Sequence, residues 1–203
     1  WRLRLEHQRR GDWAWRPARR HVGNESMTTQ VRQPSERLID LRSRGGAMGA
    51  LDFGDPNRPV DIVFSHANGF NARTYSSILA PLAVRHRILA VDLRGHGRST
   101  LPTHAAGRST WTDIAEDLLA LVEAVDARNV VLAGHSMGGT ASLLATHMAT
   151  ERIRALVLFE PVILSREAAD QARKGPINSP LAEGARRRRT TFASRQEALE
   201  TYR

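Results

Sequence analysis

The sequence predicts an α/β fold, a mostly parallel sheet with helices packed on its faces. Three observations predict it. Between residues 37 and 161, apolar runs of strand length alternate with longer amphipathic runs, the pattern of βαβ units with right-handed crossovers. Three loops rich in glycine and histidine (66–70, 93–99 and 134–139) each follow such an apolar run, and ligands bind at the carboxyl ends of parallel strands. Finally, the chain has 41% hydrophobic and 25% charged residues, ordinary for one globular domain with a sizeable core.

Along the chain, residues 1–26 carry seven arginines against Glu6, Asp12 and Glu25, with Trp1, Trp13 and Trp15 scattered among them. No helical or strand period organises them, and the apolar core of a signal peptide is missing. We expect a disordered N-terminal extension ahead of Met27; a basic arm that binds RNA or anionic lipid is the rival reading. Residues 37–43 and 48–53 read as two strands joined at Gly45-Gly46, a hairpin signal. Residues 55–59 form a turn, 60–65 a short buried strand, and 74–84 a helix despite Pro81. Residues 87–92 are a further strand. Thr112 opens a capped amphipathic helix to about Ala127, with Ile114, Leu118, Leu121, Val122 and Val125 on one face. Residues 130–133 and 153–159 are strands flanking a helix over 140–149. Beyond Pro161 the regularity fades, with Ser165 and Ser194 as candidate helix caps.

The junction at residues 134–139, Gly-His-Ser-Met-Gly-Gly, carries the chemistry. A serine between strand and helix, with Gly134 and Gly138 two residues either side, matches the G-x-S-x-G nucleophile elbow. The chain must reverse sharply there, so its close neighbours need to lack a Cβ. The following helix aims its free N–H groups and positive dipole end at the serine oxygen, where an attacked carbonyl develops negative charge. The bland alternative is a tight turn with no chemistry.

Taken together, residues 65–70 (Ser-His-Ala-Asn-Gly-Phe), 92–99 (Asp-Leu-Arg-Gly-His-Gly-Arg-Ser) and 134–139 resemble the α/β-hydrolase family in order and spacing. The resemblance implies an α/β-hydrolase core over 27–161 and the start of a helical lid over 162–203. It implies Ser136 as nucleophile and an oxyanion hole from the backbone N–H groups of Met137 and Asn68. Gly134, His135, Gly138, Gly139, His66 and His96 would support the elbow and loops. Phe70 and Met137 are candidates to line an acyl pocket or to be core. Where many members have His-Gly, this chain has His66-Ala67. Members that perform epoxide and dehalogenase chemistry place an aspartate where this chain has Ser136.

One departure is large. The family's order is Ser, then Asp or Glu, then His, yet the histidines stand at 7, 21, 66, 86, 96, 104, 135 and 147. His147 lies eleven residues past Ser136, about three helical turns and ~16 Å along the helix. Glu160, after the sixth strand, is a candidate substitute acid or a lid-hinge residue. The expectation is a serine hydrolase acting on a small ester or related carbonyl, truncated before its acid and base; the alternative is a non-catalytic fragment or binding module. No metal or organic cofactor is expected. Without cysteine, disulfides and thiolate sites are excluded, and a cytoplasmic location is expected. The net charge of +9 comes almost wholly from arginine, with Lys174 the only lysine. We read that skew as coding bias and Arg186 to Arg189 as a solvated face, not a nucleic-acid site. No membrane partner is expected, since no apolar run reaches the ~20 residues of a span.

Overall fold

The structure, a computed structural model, describes residues 33–103, 110–173, 183, 187, 189 and 191–201. The expected disordered extension at 1–26 lies outside them. Among the described residues six strands form one mixed sheet in the order β1-β2-β4-β3-β5-β6. They are β1 (Ser35–Leu41), β2 (Gly46–Phe53), β3 (Ile62–Ser65), β4 (Ile88–Val91), β5 (Val130–His135) and β6 (Ile153–Phe159). The hairpin β1-β2 pairs antiparallel and joins β4 antiparallel. The pairings β4-β3, β3-β5 and β5-β6 are parallel. The hairpin closes through a 3-10 turn, Arg42–Arg44, with Gly45 at a φ of 86°, a left-handed conformation that suits glycine.

Strand alternation divides the core between two faces. Val63, Leu89, Val91 and Leu132 point to one, against helices α2 (Thr112–Ala124) and α3 (Met137–Met148). Phe64, Ile88, Ala90 and Ala133 point to the other, with Tyr75 and Leu79. Each fully buried Leu or Ile stabilises the fold by about 1.5–3 kcal/mol.

The expected helix over 74–84 is in pieces: a 3-10 turn (Ala72–Tyr75), one α-turn α1 (Ser76–Leu79) and a second 3-10 turn (Ala80–Val84). Pro81 explains the break, because it lacks an N–H and its ring collides with the preceding turn. The cap is Asn71, whose Oδ1 accepts from the Thr74 N–H at 3.2 Å. Thr112 likewise does not cap α2; the N-cap position is Trp111, with no side-chain cap bond. The serine caps are present. Ser165 Oγ accepts from Ala168 N–H ahead of α4 (Arg166–Arg173), and Ser194 Oγ from Glu197 N–H ahead of α5 (Arg195–Thr201). In the arginine run, Arg187 pairs with Glu183 and Arg189 with Glu197.

A buried ion network fastens the loop after β4. Asp117, fully buried on the apolar face of α2, accepts Arg94 Nε at 2.7 Å, Arg94 Nη2 at 2.6 Å and Arg44 Nε at 2.8 Å. Three charge-assisted bonds offset the desolvation of these groups. Losing Asp117 would strip the buried Arg94 guanidinium of its bidentate partner, at a cost of roughly 3–5 kcal/mol.

Candidate active site

The carboxyl ends of β3, β4 and β5 bring the three loops together. Ser136 sits between β5 and α3 at φ 50° and ψ −115°, a strained conformation for a residue with a Cβ. Glycines make the reversal possible. A Cβ on Gly134 would lie 2.5 Å from the Gly138 carbonyl, and one on Gly138 would overlap the Ser65 carbonyl and lie 2.6 Å from His66 O. The start of α3 is therefore pressed against the backbone of Ser65 and His66. Gly139 N–H packs by Gly134 in the same way, where a Cβ would meet its carbonyl at 3.0 Å. The Ser136 N–H donates to Phe159 O at 2.9 Å, so the elbow is tied to the end of β6.

The loop after β3 is a reverse turn from Ala67 to Phe70, closed by Phe70 N–H to Ala67 O at 3.1 Å. Gly69 takes a φ of 78° at its third position, the left-handed geometry of a type II turn. Among the described residues nothing accepts from the Asn68 N–H. Met137 N–H opens the first turn of α3, where N–H groups lack intrahelical partners. The Met137 side chain is buried in the α2–α3 core, so it is core and not pocket lining. Phe70 is 44% exposed, its ring 6.2 Å from Tyr75 and 6.5 Å from His135.

Two histidines connect the loops. His66 is fully buried; its Nε2 accepts from Leu93 N–H at 2.9 Å and its Nδ1–H donates to Ala67 O at 2.7 Å. The Leu93 amide is a donor, which fixes that tautomer. Burial, reinforced by His96 and opposed by the Ala67 carbonyl and Asp92, lowers the His66 pKa to about 4. His96 bonds Arg94 O through Nδ1 and accepts from Gly69 N–H through Nε2 at 3.1 Å. Asp92 completes the frame, accepting from Ala72 N–H at 2.8 Å and Arg98 N–H at 2.9 Å. Gly97 is packed so closely on that carboxylate that no Cβ fits.

Sequence reasoning missed Tyr75. Its Oη accepts from Ala67 N–H at 3.1 Å and lies 2.8 Å from His135 Nδ1. Burial pushes the phenol pKa up, opposed by the Ala67 bond; with Ala67 N–H on the oxygen, the acceptor that the described residues offer the hydroxyl proton is His135 Nδ1, an assignment by partner. The His135 ring N–H is then on Nε2, 4.0 Å from the exposed Glu160 carboxylate. The available signal was weak: a tyrosine nine residues past His66, in a segment that periodicity rendered as plain helix. Among the described residues no group of three or more His, Cys, Asp or Glu could hold a metal ion, and no helix is long and apolar enough to cross a membrane.

This arrangement resembles known proteins. Over 98 residues the chain is 35% identical to the dihydrolipoyllysine-residue acetyltransferase component of the acetoin cleaving system of Pseudomonas putida, covering 48% of this chain and 26% of that protein. It is 30% identical over 136 residues to epoxide hydrolase A of Mycobacterium tuberculosis, covering 66% of this chain and 40% of that protein. The chain thus spans less than half the length of both curated relatives. A crystal structure of a hypothetical protein from Pseudomonas aeruginosa PAO1 superposes with a TM-score of 0.64 at 31% identity, covering 82% of this chain and 58% of that one. Residues 62–202 match the model of the alpha/beta hydrolase family, and the chain belongs to that family.

Proposed function

We propose that the site is that of a serine hydrolase acting on a small, rather apolar ester or related carbonyl compound. One observation carries this reading: Ser136 projects from a strained turn at the head of α3, φ 50°, with the first-turn N–H groups of the helix beside it. Ser136 Oγ attacks the carbonyl carbon and its proton passes to a base. The resulting oxyanion accepts from the N–H groups of Met137 and Asn68, each typically worth ~3–4 kcal/mol. Collapse expels the alcohol and leaves acyl-Ser136, which water then cleaves. The serine itself disfavours epoxide opening, which in this family uses an aspartate at that position.

The base is the missing part among the described residues. Nothing among them hydrogen-bonds Ser136 Oγ. His66 and His96 have both ring nitrogens bonded to other partners, and His135 Nδ1 is taken by the Tyr75 hydroxyl. The second reading, a binding module without turnover, rests on that observation.

The test is p-nitrophenyl acetate with the purified chain. Turnover should not exceed that of Ser136→Ala, whereas imidazole supplied as base should leave an acetyl group on Ser136, seen by mass spectrometry and absent from Ser136→Ala. No acetylation even with imidazole would refute the acyl-serine reading. A robust Ser136-dependent rate without imidazole would show that a base is present after all.

A further inference from the structure

The two proposed oxyanion donors belong to different segments, so something must set their spacing. The β3–β5 ladder sets the register as far as Ser65 and Gly134; beyond it, backbone contact between Gly138 and Ser65-His66 limits how closely the loops approach, but contact alone has no direction. His66 and His96 tie the loop after β3 to the loop after β4, not to the elbow. Among the described residues, hydrogen bonding between residues 66–70 and the elbow runs through the Tyr75 hydroxyl. That oxygen holds Ala67, one residue before Asn68, and His135, one residue before Ser136.

We propose that Tyr75 is a positioning residue whose hydroxyl, bridging Ala67 and His135, fixes the Asn68 N–H relative to Ser136. The proposal rests on the acyl-serine reading above. The bridge is well suited to the task. A hydroxyl has one proton and two lone pairs; here a lone pair takes the Ala67 N–H and the proton goes to His135, so both segments are held directionally. The phenol itself cannot drift, because it is buried and its ring packs 4.7 Å from Phe64 on β3. Tyr75→Phe keeps that packing and removes only the bridge. A displacement of ~1 Å at a reacting centre costs up to ~10²-fold in rate.

The experiment follows acetylation of Ser136 in the full chain, with p-nitrophenyl acetate as donor and imidazole as base, alongside amide hydrogen exchange. Tyr75→Phe should lower the acetylation rate constant about 30-fold while the half-saturating ester concentration stays within about twofold. It should also speed exchange in residues 67–70 about tenfold, leaving β3 and β4 unaltered. His135→Leu should behave the same way. His135→Asn, which retains an acceptor at the Nδ1 position, should recover to within about threefold of the parent. Parent-like acetylation in Tyr75→Phe overturns the proposal, as does exchange in residues 67–70 that does not respond. If the parent chain itself is not acetylated while that exchange does respond, the acyl-serine reading falls and takes the catalytic purpose of the bridge with it. The two failures are thereby distinguishable.

Discussion

Strand β4 is paired on both sides, by β2 and β3, and all four of its residues are buried. Strand β6 has seven residues, is paired among the described residues only by β5, and leaves Val157 45% and Phe159 53% exposed. As sequences, Ile-Leu-Ala-Val and Ile-Arg-Ala-Leu-Val-Leu-Phe are alike: near-continuous apolar runs, the composition of parallel strands covered on both faces. The difference is in the neighbours. A strand's burial is a property of the sheet around it, and β6 carries more apolar surface than the described residues cover. Val162, Ile163 and Leu164, which follow it, are exposed as well.

This contrast can be broken by matched truncations. Leu89→Ala on β4 removes a fully buried side chain and should cost about 4 kcal/mol. Val157→Ala on β6 should cost about 0.5 kcal/mol. Urea unfolding midpoints measure both, and equal losses would show that β6 is as well covered as β4.

Acid should weaken the well-packed side next. His66 has a folded pKa of about 4 against an ordinary 6.5, so the unfolded chain binds its proton first as pH falls. Stability from this group is full above pH 6.5 and is lost progressively down to pH 4, by about 3 kcal/mol in total. Comparison with His66→Asn isolates the effect: the variant should be less stable at neutral pH and should lack this share of the slope. Parallel pH profiles would remove His66 as the cause.

The smallest effect lies at the end of β6. Glu160 is held at a φ of 45°, a left-handed conformation unfavourable for a residue with a Cβ. Glu160→Gly should stabilise the chain by about 0.5 kcal/mol, the relief of strain being partly offset by the greater freedom of glycine when unfolded. A fall in melting temperature would mean that Glu160 makes a contact worth more than its strain.

Much of this was legible in the sequence because it depends on local rules. β6 begins and ends where its apolar run does. The glycines of residues 134–139 announced a turn that only small residues can make. What stayed hidden is long-range. Asp117 is one polar residue inside an apolar helix face, and nothing nearby in sequence names its partners Arg94 and Arg44, 23 and 73 residues away. Tyr75 was hidden for a related reason: its role is defined by Ala67 and His135, the latter sixty residues distant. The helix over 74–84 failed locally, since periodicity outweighed Pro81 in the reading but not in the backbone.

The amide of Ser136 donates to the carbonyl of Phe159, and one turn later Thr140 Oγ1 donates to Val162 O at 3.0 Å. The first stitch couples the elbow to the last residue of β6, and the second to the segment that follows it. A segment laid along β6 would not need to reach the site to alter it; by stiffening Phe159 it would stiffen the backbone from which Ser136 projects. The backbone order of the elbow is in this sense linked to that of residues 159–162.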